Sequence, residues 1–417
     1  MAFQVPAKFN KWLDEYDHKM REESTLSAIH ELSVLAKQPD FETNAASRTK
    51  ALNLSRQITV QIQNPADAAL ELSLYPTYAL ATRMAVELKL FNLLAASAIP
   101  KSANELAMAS GGSEKLIVRL LRPLAALGFV KETGENRWCS NPTTEVMCTQ
   151  PMQACYIHLW DQMNGSLAKM VPYFRQTNYA HPENSDSGPL QYAFGTNKNS
   201  FDYWRTQPGA IENFNTFMTG VRAARSSWID WWPVQDRIFN VEIPETEVLM
   251  VDVAGGFGHD LERFKAKFPN KKGRLVLEDL PSVIKDIPDL GEGIQTIEYD
   301  FFKPQPVTGA RVYFFHFIMH DWSDDICVQI LANTASAMKP GFSKILINDF
   351  VLPNEKCPLN LCGFDLAMMA LHSGQERTES QWRNVVTRAG LEVIQIWSPE
   401  SECEGIVECQ LKYGSGA

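Results

Sequence analysis

The sequence predicts an α/β protein, in which a seven-stranded, doubly wound, Rossmann-like domain is preceded by an α-helical domain of winged-helix type. Three observations carry this. After Glu242, short apolar runs alternate with amphipathic segments, the texture of a parallel sheet with helices on both faces. The first of those runs, VLMVDV, ends in the glycine-rich turn AGGFG, which opens an amphipathic segment. Before residue 150, apolar residues recur at helical spacing and then give way to a hairpin pattern.

From the N-terminus, STLSAIHELSVLA and YALATRMAVELKLFNLLA have the apolar spacing of long packed helices. Ser102 and Glu105 make a capping box ahead of LAMAS, because each side chain can satisfy the other's free backbone N–H. SEKLIVRLLRPLAALGF supplies the next helix, and FVKET and NRWCS flank a turn at Gly134, Glu135 and Asn136. Helix, helix, hairpin is the winged-helix order. Its second helix carries Leu116, Ile117, Val118, Leu120, Leu121, Leu124 and Leu127, which leaves little polar face for base edges and predicts a packing or dimer role. The excess of acid, 49 acidic against 39 basic residues, likewise argues against a nucleic-acid partner.

Met152 to Val234 reads as a helical connector rich in aromatics, interrupted by a loop over HPENSDSGP. The strands of the final region are EVLMVDV, RLVLED, IQTIEYD, ARVYFFHF, KILINDF, LEVIQIW and EGIVECQL. The expected divisions are therefore 1–150, 151–235 and 236–417. With 417 residues, 45% of them apolar, the chain is long enough for two or three domains. No run reaches the roughly 18 apolar residues of a membrane helix, and the N-terminus lacks a signal-peptide core, so a cytoplasmic protein without a membrane partner is expected. The eight cysteines are scattered with no CxxC pair and read as reduced thiols; no metal site is expected.

The glycine turn narrows the ligand. A dinucleotide fingerprint needs a third Gly or Ala where helix and strand pack closely. Counting from Gly256 that position is Leu261, and counting from Ala254 it is His259. Asp252 before the turn, glycines at 255, 256 and 258, and Asp279 at the end of the second strand instead suit a loop that approaches an amino-acid moiety and a ribose. S-adenosylmethionine is the natural candidate.

The ordered series VDVAGGFGHDLERFKAKFP, LEDLP, YDFF, FFHFIMHDWSDD, ILINDFVLP and GQERTESQW resembles the plant-type and fungal small-molecule O-methyltransferases, from about Leu74 to Lys412. The resemblance implies an N-terminal winged-helix domain that forms a homodimer and a C-terminal domain that binds S-adenosylmethionine. It also implies methyl transfer to a phenolic or enolic hydroxyl of a secondary metabolite. Carried over by motif, the ribose-binding acid falls on Asp279 and the adenine-side pair on Asp300 and Phe301. The catalytic base falls on His320 of HDW, flanked by acids at Asp349 and Glu376. Asp321 and Trp322 are expected to cap the following helix and to pack beneath the cofactor. A small hydrophobic or aromatic substrate is expected between the connector and the sheet edge, lined by Trp204, Phe214, Met218, Met368, Met369 and His372.

The chemistry agrees with that assignment. A phenol with pKa about 10 is mostly protonated at neutral pH, so an imidazole that takes its proton as the oxygen attacks contributes roughly 10²–10⁴-fold. A carboxylate on the other ring nitrogen fixes the tautomer. Two positions depart from the family pattern: Ala254 replaces its first glycine, and His316, counted with the cofactor-binding residues, replaces its basic residue. Both predict a weaker hold on the cofactor, and they leave open a pericyclase or dehydratase that moves no methyl group, or a non-catalytic scaffold.

Overall fold

The computed structural model describes residues 24–287, 290–399 and 403–412, the side chains of residues 221–224 excepted. Two compact units divide at Leu80/Ala81, within the helix Pro65–Glu87. The expected divisions at 150 and 235 both fall inside the second unit.

The first unit is helical over 24–35 and Ala45–Ile62 and continues into Pro65–Glu87. Ala28, Leu35, Ala51 and Leu54 form its small core. In the second unit, the helical stretch expected over YALATRMAVELKLFNLLA is broken at Lys89. That residue takes a left-handed φ of 54° and starts a separate helix, Leu90–Ala95. The apolar period runs on across the break, so periodicity alone could not reveal it.

The winged-helix elements follow. β1 (Lys101–Ser102) leads into the helix Ala103–Ser110, whose capping box is made: Glu105 N–H donates to Ser102 Oγ and Ser102 N–H to Glu105 Oε2. The helix Glu114–Ala126 buries Ile117, Leu120, Leu121 and Leu124. β2 (Lys131–Gly134) and β3 (Arg137–Cys139) close the hairpin on the left-handed Asn136, and β1 adds to β3.

All seven expected strands form one sheet: β4 (Val248–Val253), β5 (Arg274–Asp279), β6 (Ile294–Glu298), β7 (Val312–His316), β8 (Lys344–Asn348), β11 (Leu391–Trp397) and β12 (Ile406–Leu411). Two short strands, β9 (Val351–Leu352) and β10 (Arg377–Thr378), pair parallel outside it. The sheet order is β11-β12-β8-β7-β4-β5-β6, with β12 antiparallel to its neighbours and the remaining pairs parallel. β4 is buried at every position, as a central strand covered on both faces must be. Along β7, Tyr313 and Phe315 join one apolar layer, and Val312 and Phe314 join the other. The order reverses between β4 and β7, and the crevice beyond the carboxyl ends of strands at such a reversal is where doubly wound sheets hold ligands.

Candidate functional site

The glycine turn leaves the carboxyl end of β4. Ala254 has φ 57°, a left-handed value that burdens a residue with a Cβ by about 1 kcal/mol. Gly255 has to be glycine for another reason: a Cβ there would lie 2.4 Å from the Asp252 carboxyl and 2.5 Å from Leu277 Cδ1. Asp252 is wholly buried beneath this turn. Gly256 and Gly258 take φ values of 61° and 77°, and Gly258 caps the helix His259–Lys267. Gly256 N–H donates to Asp279 Oδ2 at 2.9 Å, and Leu280 N–H donates to Asp279 Oδ1 at 2.7 Å. The acid at the end of β5 is thereby tied directly to the turn. Beyond β6, Asp300 accepts from Phe302 N–H, and Phe301 packs against Phe302 and Trp322. This brings the YDFF and HDW segments together.

β7 ends at His316, and Phe317 follows with φ 56°. Its ring is stacked between two imidazoles, 4.6 Å from His316 and 5.2 Å from His320, centre to centre. His316 Nδ1 lies 2.8 Å from Asp260 Oδ2, on the first turn of the helix after the glycines. His320 sits in a single 3-10 turn, Met319–Asp321, and is only 8% exposed. Its Nδ1 lies 2.8 Å from Glu376 Oε1, so the carboxylate accepts the Nδ1 proton and Nε2 is the nitrogen left for chemistry. Burial works against the charged ring, but Glu376 and Asp321, with Asp349 adding, raise its pKa to about 10. Asp349, just after β8, is buried with neither oxygen hydrogen-bonded among the described residues, and its pKa is raised, by burial first.

Asp321 does not cap the helix Asp324–Ala337; Ser323 holds that position. Asp321 turns inward instead, with Oδ1 3.6 Å from His320 Nε2 and 3.6 Å from His372 Nε2. The whole turn is clamped by the wholly buried Arg377. Its guanidinium donates to the carbonyls of Met319 (2.9 Å) and Trp322 (2.7 Å) and to Asp324 Oδ1 (2.8 Å). Gly374 packs on the same backbone, where a Cβ would fall 2.1 Å from the His320 carbonyl. Arg377→Leu would take the guanidinium from two carbonyls and from Asp324 Oδ1, which would keep only the Gln375 amide, and we expect it to cost about 3–5 kcal/mol, measured as a lowered midpoint of denaturant unfolding.

The expected lining residues separate into groups. Trp204 is wholly buried and so backs the site from its core; its ring meets Phe214 at 5.2 Å, and His372 edge-on at 5.4 Å. Met218 packs with Phe317 and Phe350. Met368 and Met369 are half-buried on the helix Leu359–His372, which ends at His372. Three participants escaped the sequence reading: Phe317, Asp260, and Ser200 at 3.0 Å from His372 Nδ1. Each meets its partner only through the fold, except Phe317, whose left-handed backbone has no sequence signature.

Residues 180–392 match the model of the O-methyltransferase domain, and residues 77–150 match that of the O-methyltransferase dimerisation domain. The chain is 36% identical to O-methyltransferase penC of Penicillium thymicola, over 91% of this chain and 95% of that protein. It is 33% identical to demethylsterigmatocystin 6-O-methyltransferase of Aspergillus flavus, over 82% of this chain and 87% of that protein. Among solved structures, LepI in complex with SAM superposes with a TM-score of 0.83 at 28% identity, over 94% of this chain and 100% of that one.

Proposed function

Since this chain belongs to the O-methyltransferase family, we propose that it methylates a hydroxyl of a small, hydrophobic or aromatic secondary metabolite, with His320 as the general base. S-adenosylmethionine is the methyl donor, and when bound it supplies an electrophilic methyl on a sulfonium. The residues present suit that molecule: Gly256 carries no side chain on a turn with φ 61°, and Asp279 stands at a strand end beside it, accepting from the Gly256 N–H. Asp279 would accept from the ribose hydroxyls, and Asp300 and Phe301 would hold the adenine side.

The observation that carries the catalytic reading is the orientation of His320. With Glu376 accepting at Nδ1, Nε2 is the atom that receives the hydroxyl proton. The raised pKa of about 10 matches the ring to a phenol of similar pKa. Phenol beside imidazole and phenolate beside imidazolium are then close in free energy, which eases the transfer. Asp349 and Glu376 stabilise the imidazolium that results. The remaining contribution is to hold oxygen and methyl in line, for which the clamp of Arg377 on the turn 319–322 supplies rigidity.

Pairing with a second copy through the N-terminal helices accords with the match to the dimerisation domain. It also accords with the exposure of Leu70, Leu72, Leu74 and Tyr75 in the first unit. Calorimetric titration with S-adenosylmethionine and S-adenosylhomocysteine tests the cofactor half of the proposal. Micromolar dissociation constants, about −8 kcal/mol, are expected. An absence of heat up to millimolar ligand would discard it.

A further inference from the structure

Asp321 stands between two histidines at equal distance, 3.6 Å from Nε2 of each. Both separations exceed a direct hydrogen bond, so a rotation of the carboxyl that closes one contact opens the other. His372 is fixed from its far side. Ser200 Oγ donates to the Leu371 carbonyl at 2.5 Å and faces His372 Nδ1 at 3.0 Å. A hydroxyl has one proton to give; with that proton on the carbonyl, Nδ1 has to be the donor to Oγ. Neutral His372 therefore presents a bare, proton-accepting Nε2 to Asp321.

We infer that Ser200 and His372 act as positioning residues for Asp321, holding it as a carboxylic acid whose proton is shared with His372 Nε2 and so withdrawing its charge from His320. The inference rests on the reading of His320 as base and deepens it. An ionised Asp321 would stabilise the His320 imidazolium in the resting protein and leave less of the neutral ring to take a proton from a substrate. Asp321 turned to His372 with its own proton does not, and Nε2 of His320 is left to the hydroxyl. Protons balance: the substrate proton moves to His320 Nε2, and the Asp321 proton stays between Oδ1 and His372.

The surroundings agree from every side. His372 is 5% exposed, lies against Phe201 and Trp204, and faces His320 and His158. Burial, then these two histidines, hold its pKa well below the ordinary value, so it stays neutral. Around Asp321, burial raises the carboxyl to about 7; His320 opposes the rise, and Asp349 and Glu376 add to it.

The test uses the full chain with two substitutions: Ser200→Ala, which keeps the ring but releases its tautomer, and His372→Phe, which keeps a ring but removes the acceptor. Carbon-13 carboxyl titration of Asp321 and nitrogen-15 spectra of the imidazoles are read in each. The wild-type protein should show His372 neutral and protonated on Nδ1 across pH 6–8, and both variants should lower the Asp321 midpoint by about one unit. The kcat/KM–pH profile should also move: both variants lose about tenfold at neutral pH, and the loss disappears as the pH rises. His372 protonated on both nitrogens at neutral pH, or a loss of rate equal at every pH with the Asp321 midpoint unmoved, would overturn the inference. Failure of the base reading looks different: His320→Ala would then retain methylation while the ring and carboxyl spectra kept the expected pattern.

Discussion

His320→Ala is expected to lower kcat/KM for methylation by roughly 10²–10⁴-fold while leaving S-adenosylmethionine affinity nearly unchanged. The substitution removes the Nε2 that receives the substrate proton, yet it lies beyond the glycine turn and Asp279, which form the cofactor side. Because the ring's pKa is raised to about 10 against its burial, with Glu376 the largest contributor, the imidazolium is the resting form at neutral pH. The wild-type rate should therefore climb as pH rises toward that value, and the climb should be absent from the variant. An unchanged rate in the variant, measured by release of S-adenosylhomocysteine, would remove His320 as the base. Glutamine at Glu376 gives a milder form of the same test: losing the charged partner on Nδ1 lowers the ring's pKa and shifts the rising limb to lower pH.

Asp279→Ala should have its large effect on binding instead. Its two oxygens anchor Gly256 N–H and Leu280 N–H, so the residue both shapes the turn and presents its charge to a ribose. Hydrogen bonds to a charged group contribute about 1.5–3 kcal/mol each, and losing the ribose pair should weaken S-adenosylmethionine by about 10²-fold or more in calorimetric titration. At saturating cofactor, much of the rate should return, because His320 is untouched. A variant that binds normally would show that Asp279 serves the turn alone.

Much of this architecture was legible in the sequence. The inner strands β4, β5, β7 and β8 are apolar runs bounded by turn residues, and they stand out because strands covered on both faces need no polar alternation. β9 and β10 were not legible, since two residues carry no period. The break at Lys89 was hidden because the apolar repeat continues through it, and only a left-handed φ of 54° separates the two helices. In the site, His320, Glu376 and Asp279 are marked by their motifs, and the structure brings His320 and Glu376 together across 56 residues of chain. Asp321 was misread as a cap because it precedes a helix; Ser323 takes that position and releases the carboxylate inward. Ser200 lies 172 residues from His372, and Asp260 lies 56 residues from His316, so neither pairing has a local signal. Trp204, expected to line the substrate pocket, is wholly buried against Phe214 and His372.

The central claim is that a methyl group moves to a substrate oxygen. It is tested most directly by incubating the protein with a panel of phenolic and enolic acceptors and methyl-deuterated S-adenosylmethionine, then weighing the products. The account predicts a product carrying the deuterated methyl on oxygen, with S-adenosylhomocysteine formed in equal amount. An acceptor consumed to a product of unchanged mass, or of mass less water, with no S-adenosylhomocysteine released, would contradict it.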